Sequence, residues 1–218
     1  LSVISMILGL GLGVGAGMMK MYGNRALRWI AEFYIWLFRG TPVLIQLIII
    51  YTGLPQLGIR LTVIESAIIG LALNEGAYLA EVIRSGIMSV DKGQTDASRA
   101  VGMTWRQRMW MVILPQATRT IIPPLGNQFN GMLKTTSLAS VISMQELMRN
   151  AQMLAQIEFR VLEAYIVAAF WYLVLVSIWS MIQVRIEAHY EKPFGPAAAV
   201  SPDAKKDIEK ILRNSGQA

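Results

Sequence analysis

Two ionisable side chains stand inside otherwise apolar sequence, Glu75 and Lys134. A charge in such a place is costly and normally faces protein or water, so each marks a candidate site. Glu75 follows Asn74, and Tyr78 comes three residues later on the same helical face. An acid beside an aromatic ring makes a seat for an ammonium group. Lys134 is followed by Thr135 and Ser137, a cation and hydroxyls that suit a carboxylate. A plainer reading stands beside this one: Glu75 and Lys134 neutralise each other, or pair within a dimer, and hold helices together. Asn127, Gln128 and Asn130 form a polar stripe that reads as a packing or pore face. Cysteine is absent, which rules out disulfides and thiolate metal sites, and the lone His189 builds no metal site. The sequence contains no G-x-x-x-x-G-K-[ST], H-E-x-x-H or G-x-S-x-G pattern, so nothing in it equips the chain to use ATP itself.

The elements that must position these residues are membrane spans. At 54% hydrophobic and 16% charged residues over 218 positions, the chain is too apolar for an ordinary soluble domain. About 20 helical residues at ~1.5 Å each cross a ~30 Å hydrocarbon core. Leu1 to Met19 is uncharged and predicts a first span. Leu stands first and no basic stretch precedes the apolar run, so it reads as a span clipped at its start and not as a signal peptide. Gly11, Gly13 and Ala16 match a weak dinucleotide fingerprint, which fails because no strand precedes it. Gly9, Gly13 and Gly17 instead make one small-residue face for close helix packing. From Lys20 to Arg39 the chain is amphipathic and aromatic, and it is expected to lie at the membrane interface. Further spans are predicted over Gly40 to Ile59, with Pro42 and Pro55 at its ends, and over Leu61 to Val82. A fourth is expected over Ile121 to Met144, with Pro123-Pro124 at its entrance, and a fifth over Val161 to Val184.

Lys and Arg concentrate in one set of loops: Lys20, Arg25, Arg28 and Arg39, then Arg84, Lys92, Arg99, Arg106, Arg108 and Arg119, then Arg185 and Lys192. The opposite loops hold only Arg60, Arg149 and Arg160. Cytoplasmic loops are the basic ones, so the N-terminus is expected outside and the C-terminus inside. The net charge of +6 then reports topology and gives no reason to expect a nucleic-acid partner. The expected organisation is a transmembrane domain over residues 1–190 and a cytoplasmic tail over 191–218. That tail combines a Pro/Gly/Ala linker with a possible short helix after Ser201-Pro202-Asp203.

Between the third and fourth spans lies a long polar insert, Glu81 to Ala117. Within it Asp96 begins a run, Ala97-Ser98-Arg99-Ala100-Val101, long enough for about two helical turns. A carboxylate there favours the positive helix end, and Gly102 can close the helix in a left-handed cap. Asp96-Ala97-Ser98, Gly102, Val112 and Leu114-Pro115 fall at the offsets of the pattern E-A-A, three residues, G, nine residues, I, one residue, L-P.

That pattern resembles the "EAA" cytoplasmic loop of the membrane-spanning subunits of ATP-binding-cassette importers. Arg39-Gly40-Thr41-Pro42, Gly76-Ala77-Tyr78 with Glu81 and Arg84, Gly93-Gln94, Leu114-Pro115-Gln116-Ala117, Pro123-Pro124 and Lys134 with Thr136-Ser137-Leu138 extend the resemblance to the permeases for polar amino acids. Asp96 stands where that family usually has Glu. Lys134-Thr135-Thr136-Ser137 stands where it usually has K-D-T-S, which removes a carboxylate near Lys134.

The resemblance implies an all-α membrane protein of five transmembrane helices, of the type I importer permease kind, whose cytoplasmic loop carries a coupling helix. The ATPase-coupling residues it implies are Asp96, Ala97, Ser98, Gly102, Leu114 and Pro115. The substrate contacts it suggests are Asn74, Glu75 and Tyr78 for the ammonium of an amino acid, and Lys134, Thr135 and Ser137 for its carboxylate. It also implies no cofactor in this chain, ATP and Mg bound by partner ATPase subunits, a second permease subunit, and a periplasmic amino-acid-binding protein. The location it implies is a bacterial inner membrane. Two rivals remain: an autonomous secondary carrier or channel with Glu75 and Lys134 as ion or proton relay, and a non-transporting scaffold.

Overall fold

The computed structural model describes residues 1–190; the expected linker and helix in the tail lie outside them. The described residues form nine α-helices joined by π and 3-10 turns, with no strand among them. Helix α4 (Val63–Met88) is the centre, because 61% of its most apolar window is buried, against 33% for α1 (Ser2–Tyr22) and 6% for α9 (Val161–Tyr190). It begins with a capping box, in which Thr62 Oγ accepts from the Glu65 amide and the Glu65 carboxylate accepts from the Thr62 amide at 2.8 Å.

Helix α1 lies parallel to α4 on the expected glycine face. A Cβ added at Gly13 would stand 2.7 Å from Leu79 Cβ, and one at Gly17 3.1 Å from the Ala80 carbonyl oxygen. From the other side, a Cβ at Gly76 would stand 2.8 Å from Leu12 Cβ and 2.6 Å from the Tyr34 hydroxyl. Only glycine allows backbones this close. Gly11 and Gly15 face open space, so the alternating glycines serve one packing face and not a phosphate loop.

Helix α2 (Arg25–Gly40) packs on the helix bundle. It buries Ala31 and Ile35, and Ile35 packs with Ala16 of α1 and Ala80 of α4. Its outer face keeps the aromatics, Trp29 stacked on Phe33 at 5.7 Å. Thr41-Pro42 then breaks the chain, and the continuation, α3 (Val43–Ile48) with a π turn and a 3-10 turn to Leu57, bends 105° from α2. Pro42 therefore sits inside a bent pair, where sequence reading had placed the end of a straight span. The break frees carbonyls that Gln46 recovers: its Nε2 donates to Phe38 O and Thr41 O, both at 3.0 Å.

A second correction concerns α7 (Leu114–Thr135), which carries Pro123 and Pro124 in its interior and not at its entrance. Pro115 opens this helix, a position where its missing N–H costs nothing. A 3-10 segment, Thr136–Ile142, continues it. Sequence reading also passed over α8 (Leu147–Glu158), capped by Glu146, which accepts from the Met148 and Arg149 amides at 2.9 and 2.6 Å. Tyr172 of α9 donates to that carboxylate at 3.1 Å.

Among the described residues three helices, α1, α4 and α9, are long and apolar enough to cross a membrane, and the bent α2/α3 pair makes up to four. Helix α7 is long enough, at 22 residues or about 33 Å, but its polar stripe keeps it below that apolarity. It packs against α4 and α9; Trp179 Nε1 donates to the Gly126 carbonyl at 2.9 Å, and a Cβ at Gly126 would run into Gln183.

Besides the cluster of Ala16, Ile35 and Ala80, the core has two larger clusters along α4. Leu47, Ala67, Leu71, Met132, Ala139 and Ile142 form one, and Ile83, Ile87, Met109, Ile113 and Ala117 the other. Between them, at the middle of α4, lies Glu75.

Candidate functional site

Where α4 passes the α2/α3 bend and α7, a cavity of about 290 Å³ opens. Thr41, Pro42 and Val43 line it from the bend, Leu71, Asn74, Glu75 and Tyr78 from α4, and Gln128, Gly131, Met132 and Thr135 from α7. The last four repeat at i, i+3, i+4 and i+7, one face of a helix. Glu75 is 7% exposed, its Cβ would touch one placed on Gly9 at 3.1 Å, and its Oε1 is buried with no hydrogen-bond partner.

The structure brings four of the six expected contact residues to this cavity: Asn74, Glu75, Tyr78 and Thr135. Lys134 and Ser137 do not line it. Lys134 is exposed off the cavity-lining face of α7, and no ion pair joins it to Glu75 among the described residues. Within one chain the expected charge neutralisation is therefore absent. Asn74 is partly spent on the fold, because its Nδ2 donates to Phe38 O at 2.9 Å and to Gln46 Oε1 at 3.1 Å. The ring of Tyr78 has a cation over it already, the Arg39 guanidinium, 5.3 Å from the centroid.

Gln46 is the residue that sequence reasoning missed here, and the available signal was a single amide in the apolar run Val43 to Ile50. Glu81 was noted only as part of a motif. It binds Lys20 at 2.6 Å and Arg84 at 2.9 Å, so it ties the C-terminal end of α1 to α4.

Beyond α4 the polar insert folds into α5 (Lys92–Ala100), α6 (Trp105–Arg108) and a π turn, Met109–Ile113, that runs into α7. Helix α5 starts earlier than expected: Asp91 is its N-cap, accepting from the Gly93 amide at 2.7 Å. Asp96 therefore lies mid-helix, exposed, 3.6 Å from Arg99. The helix end has the left-handed glycine that sequence reading expected, Gly102 at φ +77°. Its amide bonds Arg99 O at 2.9 Å and the Met103 amide bonds Ser98 O at 3.0 Å, the paired bonds of a Schellman cap. Ser98 is buried, whereas Asp96, Ala97, Val101 and Gly102 face outward. Gln94 reaches Gln116 of α7 at 3.3 Å, and Leu114 packs on the core cluster of Ile83, Ile87 and Met109. Tyr22 meets Trp105 edge to face at 5.4 Å, which fastens the end of α1 to α6.

The model of the family described as "Binding-protein-dependent transport system inner membrane component" matches residues 9–192. The chain belongs to this family. The resemblance drawn from the insert and its flanking motifs is thereby confirmed, and the chain is a permease component of binding-protein-dependent transport. Among curated relatives, the arginine transport system permease protein ArgU of Corynebacterium glutamicum is 42% identical over 88% of this chain and 65% of its own length. The L-cystine transport system permease protein TcyB of Bacillus subtilis is 41% identical over 88% of this chain and 82% of its own. A crystal structure of an amino acid ABC transporter with histidines superposes with a TM-score of 0.82 at 38% identity, covering 86% of this chain and 88% of that one. The all-helical permease fold is thus shared with solved importers.

Proposed function

We propose that this permease is the transmembrane subunit of an ATP-driven importer that moves polar or charged amino acids across a bacterial inner membrane. The observation that carries the reading is Glu75, a buried carboxylate with an unpartnered oxygen at the middle of the central helix, lining a cavity in a chain whose relatives are named amino-acid permeases. Its partners in this reading are a second permease subunit, identical or a sibling, two ATPase subunits that bind ATP and Mg, a periplasmic amino-acid-binding protein, and lipid. Asp96, Ala97, Ser98 and Gly102 form or close the helix that docks on the ATPase. Leu114 and Pro115 open the helix that carries its movement inward. ATP binding draws the ATPase pair together, α5 follows, and the spans turn outward to receive the amino acid.

Reconstituted in liposomes with its cognate ATPase and binding protein, the permease should accumulate a polar amino acid only with ATP in the ATPase compartment, and a proton ionophore should not stop it. Accumulation driven by a pH gradient without ATP would sink this reading in favour of a secondary carrier.

The topology proposed is five crossings, with residues 1–190 as the membrane domain, the N-terminus outside, and 191–218 as a cytoplasmic tail. Helices α1, α4, α7 and α9 and the bent α2/α3 pair are the crossings, and the basic loops support the orientation, Arg39 excepted because it stands beside Tyr78 and not in a loop. Single cysteines, read in a chain that has none, should label from outside at Gly58 and Gln152 and not at Gln94. Labelling of Gln94 from outside would reverse the scheme.

A further inference from the structure

The cavity has a seat for a cation in Glu75, yet the lysine expected to supply the opposite charge points elsewhere. A different cation stands at its edge. Arg39, the penultimate residue of α2, is not itself among the lining residues; it stands two residues before Thr41, which lines the cavity, and its guanidinium lies over the ring of Tyr78, which lines it too. The side chain is exposed, forms no ion pair, and donates to no protein acceptor among the described residues. The freed carbonyls beside it do not need its five donors, because Gln46 and Asn74 already bond Phe38 O and Gln46 bonds Thr41 O. A planar guanidinium held against an aromatic face and spent on nothing else is shaped for bidentate contact with a carboxylate.

We infer that Arg39 is a specificity-determining residue of the cavity, binding the α-carboxylate of a zwitterionic amino acid whose ammonium is held at Glu75. Tyr78 fixes the guanidinium in place by stacking, and the pair of opposite charges reads the two charged groups every free amino acid carries. Amino-acid amides and decarboxylated amines lack the carboxylate, and a peptide carries its two charged termini on different residues. The inference rests on the reading of this cavity as the amino-acid site, and it moves the carboxylate contact from Lys134 to Arg39.

The test is equilibrium binding to the purified transporter complex in detergent without binding protein. The probes are L-arginine, L-histidine and L-glutamine, each competed against its own carboxamide. The intact complex should prefer at least one free acid over its carboxamide by about ten-fold or more, the range of a charge-assisted contact. Arg39→Gln should abolish that preference, and Arg39→Lys should keep a reduced one, because a point charge replaces the fork. Binding of a free acid by the intact complex with its carboxamide bound equally well overturns the inference alone, even if no Arg39 variant assembles. So does an undiminished preference in Arg39→Gln, or its loss in Lys134→Met with retention in Arg39→Gln, which returns the role to Lys134. No binding of any of the three acids by the intact complex overturns the cavity reading together with the inference.

Discussion

Replacing Gly102 by valine is expected to uncouple ATP hydrolysis from uptake or to prevent assembly with the ATPase. Gly102 holds φ +77°, and a Cβ there would meet nothing within 4 Å, so the cost inside the chain is one of backbone strain and not of crowding. For a β-branched residue that strain is about 1–2 kcal/mol, enough to shift the population of a capped helix roughly ten-fold. Helix α5 has little else to hold it: Asp91 at one end, the two Schellman bonds at the other, buried Ser98, and the Gln94 contact to α7. Gly102→Asn separates two causes, because asparagine tolerates the left-handed region but adds bulk to the docking face. Recovery in Gly102→Asn would assign the defect to the lost cap, and equal failure would assign it to the docking groove. The readouts are uptake and ATPase stimulation by the binding protein in the reconstituted complex. Normal values of both in Gly102→Val would count against α5 as the coupling element.

What was legible beforehand divides along physical lines. Gly9, Gly13 and Gly17 could be read as a packing face because spacing of four residues puts small side chains in register, and α4 answers with Ala72, Gly76 and Ala80. The left-handed Gly102 was legible because a glycine closing a short helix has a single use that other residues do not share. The α2/α3 bend was not, since Thr41-Pro42 marks a break equally well at the end of a span or within one, and what keeps the bent pair together is the side chain of Gln46. The prolines of α7 misled for the same reason: neighbouring helices can support a helix through Pro123 and Pro124, and sequence alone does not display that support. A carboxylate at the head of the run Ala97 to Val101 made Asp96 a plausible helix start, although Asp91 followed by Gly93 carries an equally good cap. The cavity itself was half legible. Glu75, Asn74, Tyr78 and Thr135 were named from residue type, but which face of α7 turns inward depends on a helix that starts at Leu114, and that register leaves Lys134 outside.

Glu75→Gln is expected to have the largest effect on what the permease carries. Glu75 is 7% exposed, one of its carboxylate oxygens is buried without a partner, and no lysine or arginine pairs with it among the described residues. A buried acid of this kind is a poor structural element, because burying a charge without a mate costs stability that a neutral amide would not. Its replacement by glutamine should therefore leave the complex assembled, with binding-protein-stimulated ATP hydrolysis intact. The loss should appear in transport, about ten-fold or more for substrates with a cationic side chain or a free ammonium at the site, the range for hydrogen bonds to a charged group. If Glu75 instead balanced Lys134 across a dimer, removing both charges by Glu75→Gln with Lys134→Met would restore what either change alone damages. Uptake assays with a cationic and a neutral amino acid, run on the single and double variants side by side, decide between them: rescue with substrate preference unchanged would remove the cargo role, and a lasting loss of cationic uptake in both would fix Glu75 as the cation seat.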